Sequence, residues 1–134
     1  VLAQIEIKKE NKNEAKNILI NIINKKNKTY SPMSLNLIID NKLDNDENIV
    51  IYFDKIIGIR SLDNELKNLY KFKKAVFISE TKSESEILEI LKPIINSKSV
   101  WRVSAINFMK TYYTQKNNLS KAAEFQKLLE KNTK

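Results

Sequence analysis

Large apolar residues recur along the chain in one spaced pattern. Leu19, Phe53, Leu91 and Phe125 are each followed, three and four positions later, by two adjacent aliphatic residues. A large apolar residue with a doublet at i+3 and i+4 lies on one face of an α-helix. The four residues are separated by steps of 34, 38 and 34 positions, so the pattern predicts a helical repeat of about that length.

Residues suited to cap a helix occur in the same register. A short side chain with an oxygen atom stands eight positions before each large apolar residue, at Asn11, Asn45, Ser83 and Asn117. Such an oxygen can accept hydrogen bonds from the unpaired N–H groups of a first helical turn. The shared spacing predicts that each of them begins the second helix of a hairpin. The four large apolar residues are then buried structural residues of those second helices.

A second set of helices is predicted between these four. Ser31-Pro32, Ser61 and Ser99 mark helix starts, and Gly58 is expected to end the helix that precedes Ser61. The sequence therefore predicts an all-α chain of four helix hairpins, or eight helices, stacked as an α-solenoid. The predicted helices span residues 1–10, 12–25, 31–44, 46–58, 61–80, 84–96, 99–116 and 118–132.

The beginning of the chain is out of step with the repeat. By the repeat spacing the first helix begins several residues too late, and the first residue is Val1 rather than Met. We therefore interpret residues 1–134 as a single repeat domain and as a fragment that lacks an upstream segment. No apolar run approaches the roughly 18 residues of a membrane helix, so membrane attachment is expected only through that unseen segment.

Composition excludes most kinds of catalytic site. The chain has no His, no Cys and one Gly, which removes the common nucleophile–base pairs, zinc sites and Gly-rich phosphate loops. The densest acidic patch lacks the spacing of a calcium loop, and we interpret it as a solvated turn beside a helix N-terminus. The sequence predicts a non-enzyme without a cofactor, unless two buried acids share one cleft. The patch consists of Asp40, Asp44, Asp46 and Glu47.

The net charge of +8 raises the alternative of nucleic-acid binding. Of the 24 basic residues, 22 are Lys, and Lys, Asn and Ile together make up 58 residues, a usage typical of an AT-rich genome. Specific readers of phosphates and bases favour Arg, and the lysines are spread along the sequence. We therefore expect no specific nucleic-acid partner. A basic nucleic-acid-binding helical domain remains the alternative, which lysines clustered on the folded surface would favour.

The 34-residue step is also the period of the tetratricopeptide repeat, and the fourth unit resembles that motif best. From Ile57 onward the chain is similar to the tetratricopeptide-like domain of bacterial inner-membrane proteins related to the ancillary SecYEG translocon subunit, especially alphaproteobacterial members. In those proteins a Trp-Arg pair leads into the penultimate helix, as Trp101-Arg102 does here, although Val100 stands where Pro is expected. The segments that carry the resemblance are ILEILKPIIN, SVWRVSAINFM and NNLSKAAEFQKLLE.

This resemblance implies a location and a class of partner. Proteins of that kind have a short cytoplasmic tail, one membrane helix and a periplasmic helical domain. The resemblance therefore implies the periplasmic side of the bacterial inner membrane, with the cytoplasm as the alternative. The implied partner is a component of membrane translocation or envelope assembly.

The repeat itself indicates a non-catalytic scaffold that binds a protein or peptide. In such arrays the first helix of each hairpin lines a concave surface. Tyr112 fits the core register, so the adjacent Tyr113 is expected to face the groove. The predicted partner-binding residues are Ile106, Lys110, Tyr113 and Thr114. A purely structural oligomerisation segment is a further alternative, which a large exposed apolar patch would indicate.

Trp101 and Arg102 are assigned structural roles. A Trp side chain usually supplies buried area in a core, so Trp101 is expected to wedge between adjacent hairpins. Arg102 is expected to pair with a nearby acid or with a helix end.

Overall fold

A computed structural model describes residues 11–131, and the helix predicted over residues 1–10 lies outside them. Within the described residues the chain forms seven helices and no strand, which confirms the all-α prediction. The count is one below the predicted eight, and the difference is the helix at residues 1–10. The helices are α1 (Lys12–Asn24), α2 (Tyr30–Asp40), α3 (Asp46–Ile57), α4 (Asn64–Ile78), α5 (Glu84–Ile95), α6 (Arg102–Gln115) and α7 (Leu119–Lys131).

Three of the four predicted caps of second helices are confirmed. The side-chain oxygens of Asn11, Asn45 and Ser83 each accept a hydrogen bond from the backbone N–H three residues later, at 3.4, 2.8 and 3.3 Å. The prediction for Asn117 is wrong. Its φ of 60° lies in the left-handed region that Asn tolerates, and it closes the turn after α6. The cap of α7 is Asn118, whose side chain accepts from the N–H of Lys121 at 3.2 Å.

Starts of the intervening helices differ from the predictions by one to three residues. Helix α2 begins at Tyr30, which places Pro32 in its first turn, where a missing N–H costs no helical bond. Helix α4 begins three residues after Ser61, and α6 begins three residues after Ser99. Gly58 is the C-cap of α3, as predicted, with a right-handed φ of −80°.

The helices belong to two compact units, Val1–Asp63 and Asn64–Lys134. In the first unit α1 packs on α2 and α3, and α2 packs on α3. In the second unit each helix from α4 to α7 packs on the next one along the chain. Consecutive helices therefore form packed pairs within each unit, as a helical repeat requires. The prediction of one continuous repeat domain stays a prediction.

Residues predicted for the core are buried at three of the four positions. Leu19 and Phe53 in the first unit and Leu91 in the second are almost fully buried. Phe125 is half-buried, because α7 packs along one side on α6. Its ring stacks on that of Tyr113, with centroids 5.6 Å apart and 24° between the planes.

Side chains at the start of one hairpin satisfy carbonyls at the end of the hairpin before it. The Ser31 hydroxyl donates to the carbonyl of Ile22 at 2.8 Å. Arg102 donates through Nε to the carbonyl of Ile95 at 2.7 Å. The last carbonyls of a helix have no partner within that helix, so both bonds act as C-terminal caps. The expectation that Arg102 pairs with a helix end is confirmed, and Trp101 directly before it is half-buried.

Candidate partner-binding surface

The structure separates the four residues predicted to contact a partner. Ile106 and Tyr113 have exposed fractions of 0% and 1%, so the expectation that Tyr113 faces an open groove is wrong. Helix α6 packs on both α5 and α7. Two neighbouring helices bury a wider side of α6 than the one core face that the prediction assumed. Lys110 is half-buried and donates to the Gln126 side chain at 2.6 Å. Thr114 is exposed, and a binding role for these residues stays a prediction.

The side of α6 that remains exposed carries mostly small polar residues. Val103, Asn107, Thr111 and Thr114 are exposed and follow one another at intervals of four, four and three residues. Positions three and four apart lie on one face of a helix. This stripe is therefore the solvent side of α6, with Val103 as its one large apolar member at 53% exposure.

Helix α4 has a comparable stripe that is mainly apolar. Leu66 and Val76 are 44% and 41% exposed, and Leu69 and Lys73 between them are half-buried. Their spacing of three, four and three residues again places them on one face. Isolated exposed apolar residues are ordinary on a protein surface, whereas an aligned set is typical of an interaction site.

Contacts between α4 and α6 bring these two stripes together. The rings of Phe72 and Phe108 meet edge to face, with centroids 6.1 Å apart and 87° between the planes. Because Phe72 lies beside the α4 stripe and Phe108 beside the α6 stripe, the two exposed sides form one surface. We call this surface the open face. It consists of Leu66, Leu69, Lys73 and Val76 on α4 and Val103, Asn107, Thr111 and Thr114 on α6.

A carboxylate fixes one end of the open face. Glu65, in the first turn of α4, accepts from the Ser99 hydroxyl at 2.6 Å, the Val100 N–H at 2.8 Å and the Asn68 side chain at 3.1 Å. The bond from Ser99, then those from Val100 and Asn68, hold the pKa of Glu65 below its ordinary value. The network ties the start of α4 to the loop between α5 and α6 and holds Val100 exposed beside the open face.

A cleft of about 310 Å³ lies at the other end. The Phe108 and Tyr112 rings in its wall have centroids 6.5 Å apart, and the Lys116 ammonium lies 5.0 Å from the Tyr112 centroid. None of the four predicted partner residues lines the cleft. Sequence reasoning missed the cleft because it assigned Tyr112 only to the core. The lining residues are Ser79, Glu80, Phe108, Thr111, Tyr112, Gln115 and Lys116.

Positive charge is concentrated in the unit that carries the open face. Residues 64–134 include fourteen basic and seven acidic residues, whereas residues 1–63 include ten and nine. Nearly all of the net charge of +8 therefore belongs to the second unit. The second unit has both more basic and fewer acidic residues than the first, a difference that the even spread of lysines along the sequence concealed.

The acidic patch of the first unit is engaged in a structural contact. One oxygen of Asp44 accepts from the Tyr52 hydroxyl at 2.6 Å, and the other accepts from the Asn48 side chain at 2.9 Å and the Asn45 N–H at 2.8 Å. Among the residues that the structure describes, no group of three or more acidic side chains could hold a metal ion. In the same part of the chain, no helix is long and apolar enough to span a bilayer.

The buried Tyr113 hydroxyl leads to a stability prediction. Within residues 11–131 it has no hydrogen-bond partner, and burial, with the nearby Glu84 carboxylate, raises the pKa of Tyr113 to about 12. An unsatisfied buried hydroxyl destabilises the folded state. We expect Tyr113→Phe to leave the free energy of unfolding unchanged or to raise it by about 1 kcal/mol, as measured by urea denaturation. A loss of that size would instead show that the hydroxyl bonds Glu84 in solution.

Comparison with known proteins does not test the resemblance to a tetratricopeptide-like domain. No family model, curated protein or solved structure matches the chain. The resemblance therefore stays a prediction, and the function is inferred from the exposure, shape and charge of the open face.

Proposed function

We propose that the chain is a non-catalytic interaction module whose open face binds a protein or peptide with both apolar and acidic side chains. One observation carries this proposal: Leu66, Val76 and Val103 stay exposed on the open sides of two adjacent helices whose other sides are packed. Burying such side chains against a partner is favourable by about 25 cal/mol for each Å² of apolar area. An aligned apolar surface is therefore suited to association.

The charge of the second unit favours an acidic partner. Fourteen basic residues against seven acidic ones create a positive potential, which accelerates encounter with a negatively charged chain. Lys73 lies within the open face and Lys110 at its edge, so both ammonium groups can approach carboxylates of a bound peptide. The apolar contacts stabilise the complex, and the lysines favour partners that carry negative charge.

The arrangement of exposed residues supports a tetratricopeptide-like α-solenoid. In the second unit its first helices, α4 and α6, would carry the binding surface, as in other helical repeats. Three of the five large apolar residues exposed in the described part of that unit lie on these two helices. They are Leu66 and Val76 on α4 and Val103 on α6.

A location on the periplasmic side of a bacterial inner membrane is part of the proposal. It is supported by the Trp101-Arg102 pair and the order of the last three helices, which resemble those of translocon-associated membrane proteins. Attachment would come from a segment upstream of Val1, and the partner would be a component of translocation or envelope assembly. The cytoplasm is the alternative location.

Peptide selection tests the binding function directly. Peptides selected from a random display library on the immobilised chain should be enriched in apolar and acidic residues. The double substitution Leu66→Ser with Val76→Ser should weaken their binding roughly tenfold or more, because two apolar contacts are lost. Leu119→Ser is the matched control, because this residue is 68% exposed on α7 and outside the open face. It should change affinity by less than about twofold.

Other outcomes would support the alternatives. If the double substitution binds the selected peptides as well as the unchanged chain, the open face is not the binding surface. Nanomolar binding of a defined oligonucleotide at physiological salt would favour the nucleic-acid-binding alternative, because contacts made only to phosphates weaken steeply as salt rises. A molecular mass that increases with concentration would favour an oligomerisation segment.

A further inference from the structure

We infer that the cleft at the end of the open face takes one aromatic side chain of the partner, with an acidic residue beside it. The inference rests on the proposed function and adds to it the identity of the anchoring residue. The open face alone selects for apolar character and charge, whereas the cleft adds a requirement for shape.

The walls and the size of the cleft favour an aromatic side chain. Phe108 and Tyr112 present rings that are inclined by 35° to each other, so an inserted ring can stack with an offset on one of them, a geometry that aromatic pairs prefer, and still contact the other. The volume of about 310 Å³ is at the lower limit of small-molecule pockets, which run from roughly 300 to 1,000 Å³. The cleft is therefore large enough for one side chain.

The charges at the rim determine what stands beside the aromatic residue. Lys116, the C-cap of α6, holds its ammonium 5.0 Å from the Tyr112 centroid, at one side of the cleft. Glu80 lines the cleft from the end of α4. A carboxylate of the partner is attracted on the Lys116 side and repelled on the Glu80 side. One acidic residue next to the aromatic residue therefore fits, and a second on the opposite side does not.

Polar groups in the lining can hold the peptide backbone around the anchor. Thr111 and Gln115 are exposed, line the cleft and lie one helical turn apart on α6. Hydroxyl and amide side chains both donate and accept hydrogen bonds. An aromatic anchor in a pocket with a polar rim is the arrangement that concentrates binding energy in one residue. The aliphatic residues of the open face then contribute less individually.

The test is a titration of the ¹⁵N-labelled chain with a defined peptide, acetyl-Ser-Asp-Trp-Ser-amide. Its addition should shift the amide signals of Glu80, Thr111 and Gln115 saturably. A peptide with Ala in place of Trp should bind at least about tenfold more weakly. A peptide with Lys in place of Asp should bind at least about threefold more weakly, and this difference in affinity should shrink as salt is added.

Two substitutions, each with a matched control, show where on the chain the peptide binds. Thr111→Phe fills the cleft and should abolish the shifts, whereas Ala123→Phe adds the same ring at an exposed position of α7, outside the open face and the cleft, and should preserve them. Lys116→Gln should weaken binding of the Asp peptide but not of the Lys peptide. Lys127→Gln, an exposed position on α7, should have neither effect.

The outcomes separate this inference from the proposed function. Shifts at Leu66, Leu69 and Val76 without shifts at the cleft would overturn the inference and leave the open face as a binding surface. Equal affinity for the Trp and Ala peptides, or full binding by Thr111→Phe, would also overturn it. If no peptide shifts any signal and display selection returns no binder, the proposed function fails as well.

Discussion

Replacement of Phe53 by Ala is expected to lower the free energy of unfolding of the first unit by about 3–5 kcal/mol. Phe53 lies on α3 with an exposed fraction of 1%, and α3 packs on both α1 and α2. Removing the ring loses its transfer free energy and leaves a cavity that helices held on two sides cannot close completely. Urea denaturation followed by circular dichroism measures the loss.

Phe125→Ala is the matched control for this experiment. The residue type and the repeat position are the same, but Phe125 is half-buried, and within residues 11–131 its helix packs mainly on α6. Its loss should cost about half as much, on the order of 2 kcal/mol. If both substitutions cost the same, the outer side of α7 is covered in solution by something that the described residues do not include.

Tyr52→Phe is expected to cost about 1–2 kcal/mol at neutral pH. The substitution removes the hydroxyl that donates to Asp44 at 2.6 Å and leaves the ring in place. A hydrogen bond to a charged group stabilises more than a neutral one. Because solvent reaches Asp44, the expected cost of the substitution lies below the upper end of the range for hydrogen bonds to charged groups. The free energy of unfolding in urea at pH 7 checks the magnitude.

The pH dependence of this loss identifies its cause. Burial opposes ionisation of Asp44, but the bonds from Tyr52, Asn48 and Asn45 outweigh it and hold its pKa below the ordinary value of 3.8. A carboxyl with a lowered folded-state pKa stabilises fully above its unfolded pKa, and this stability is lost as pH falls through the folded-state pKa. The difference between Tyr52→Phe and the unchanged chain should therefore be complete at pH 7 and shrink below about pH 4.

An equal loss at pH 7 and at about pH 3 would contradict this explanation. The cost would then come from packing around the ring and not from the carboxylate. Asp44→Asn tests the same bond from the other side, because it removes the charge and keeps the shape of the side chain. Its cost at pH 7 should approach that of Tyr52→Phe.

The positions of the second helices could be predicted because their signals are local. Asn45 and Ser83 cap helices within three residues of sequence, and Leu19, Phe53 and Leu91 follow at fixed spacing. The prediction that Asn117 caps α7 is wrong because Asn118 beside it is equally able to cap a helix. The choice between them depends on where α6 ends, and that is decided by the turn at Asn117 with its left-handed backbone.

The binding surface could be predicted only in part, since exposure depends on neighbours that are distant in sequence. Apolar residues lie on several sides of α4, and the sequence does not show that Leu66 and Val76 are the ones left exposed. Tyr112 and Tyr113 were expected to divide between core and groove. Both are buried because α6 packs on helices at two sides. The cleft requires the ends of α4 and α6 to meet, more than thirty residues apart, and no local pattern indicates that.

The bonds from Ser31 and Arg102 to the carbonyls of the preceding hairpin change where this chain can be divided. A cut in the loop before α6 would strip the end of α5 of the group that caps it, although the loop is the visible boundary between hairpins. Residues 83–131 keep both the bond from Arg102 to Ile95 and the packing of α7 on α6. For transplanting or duplicating a module, α5 therefore belongs with the hairpin that follows it.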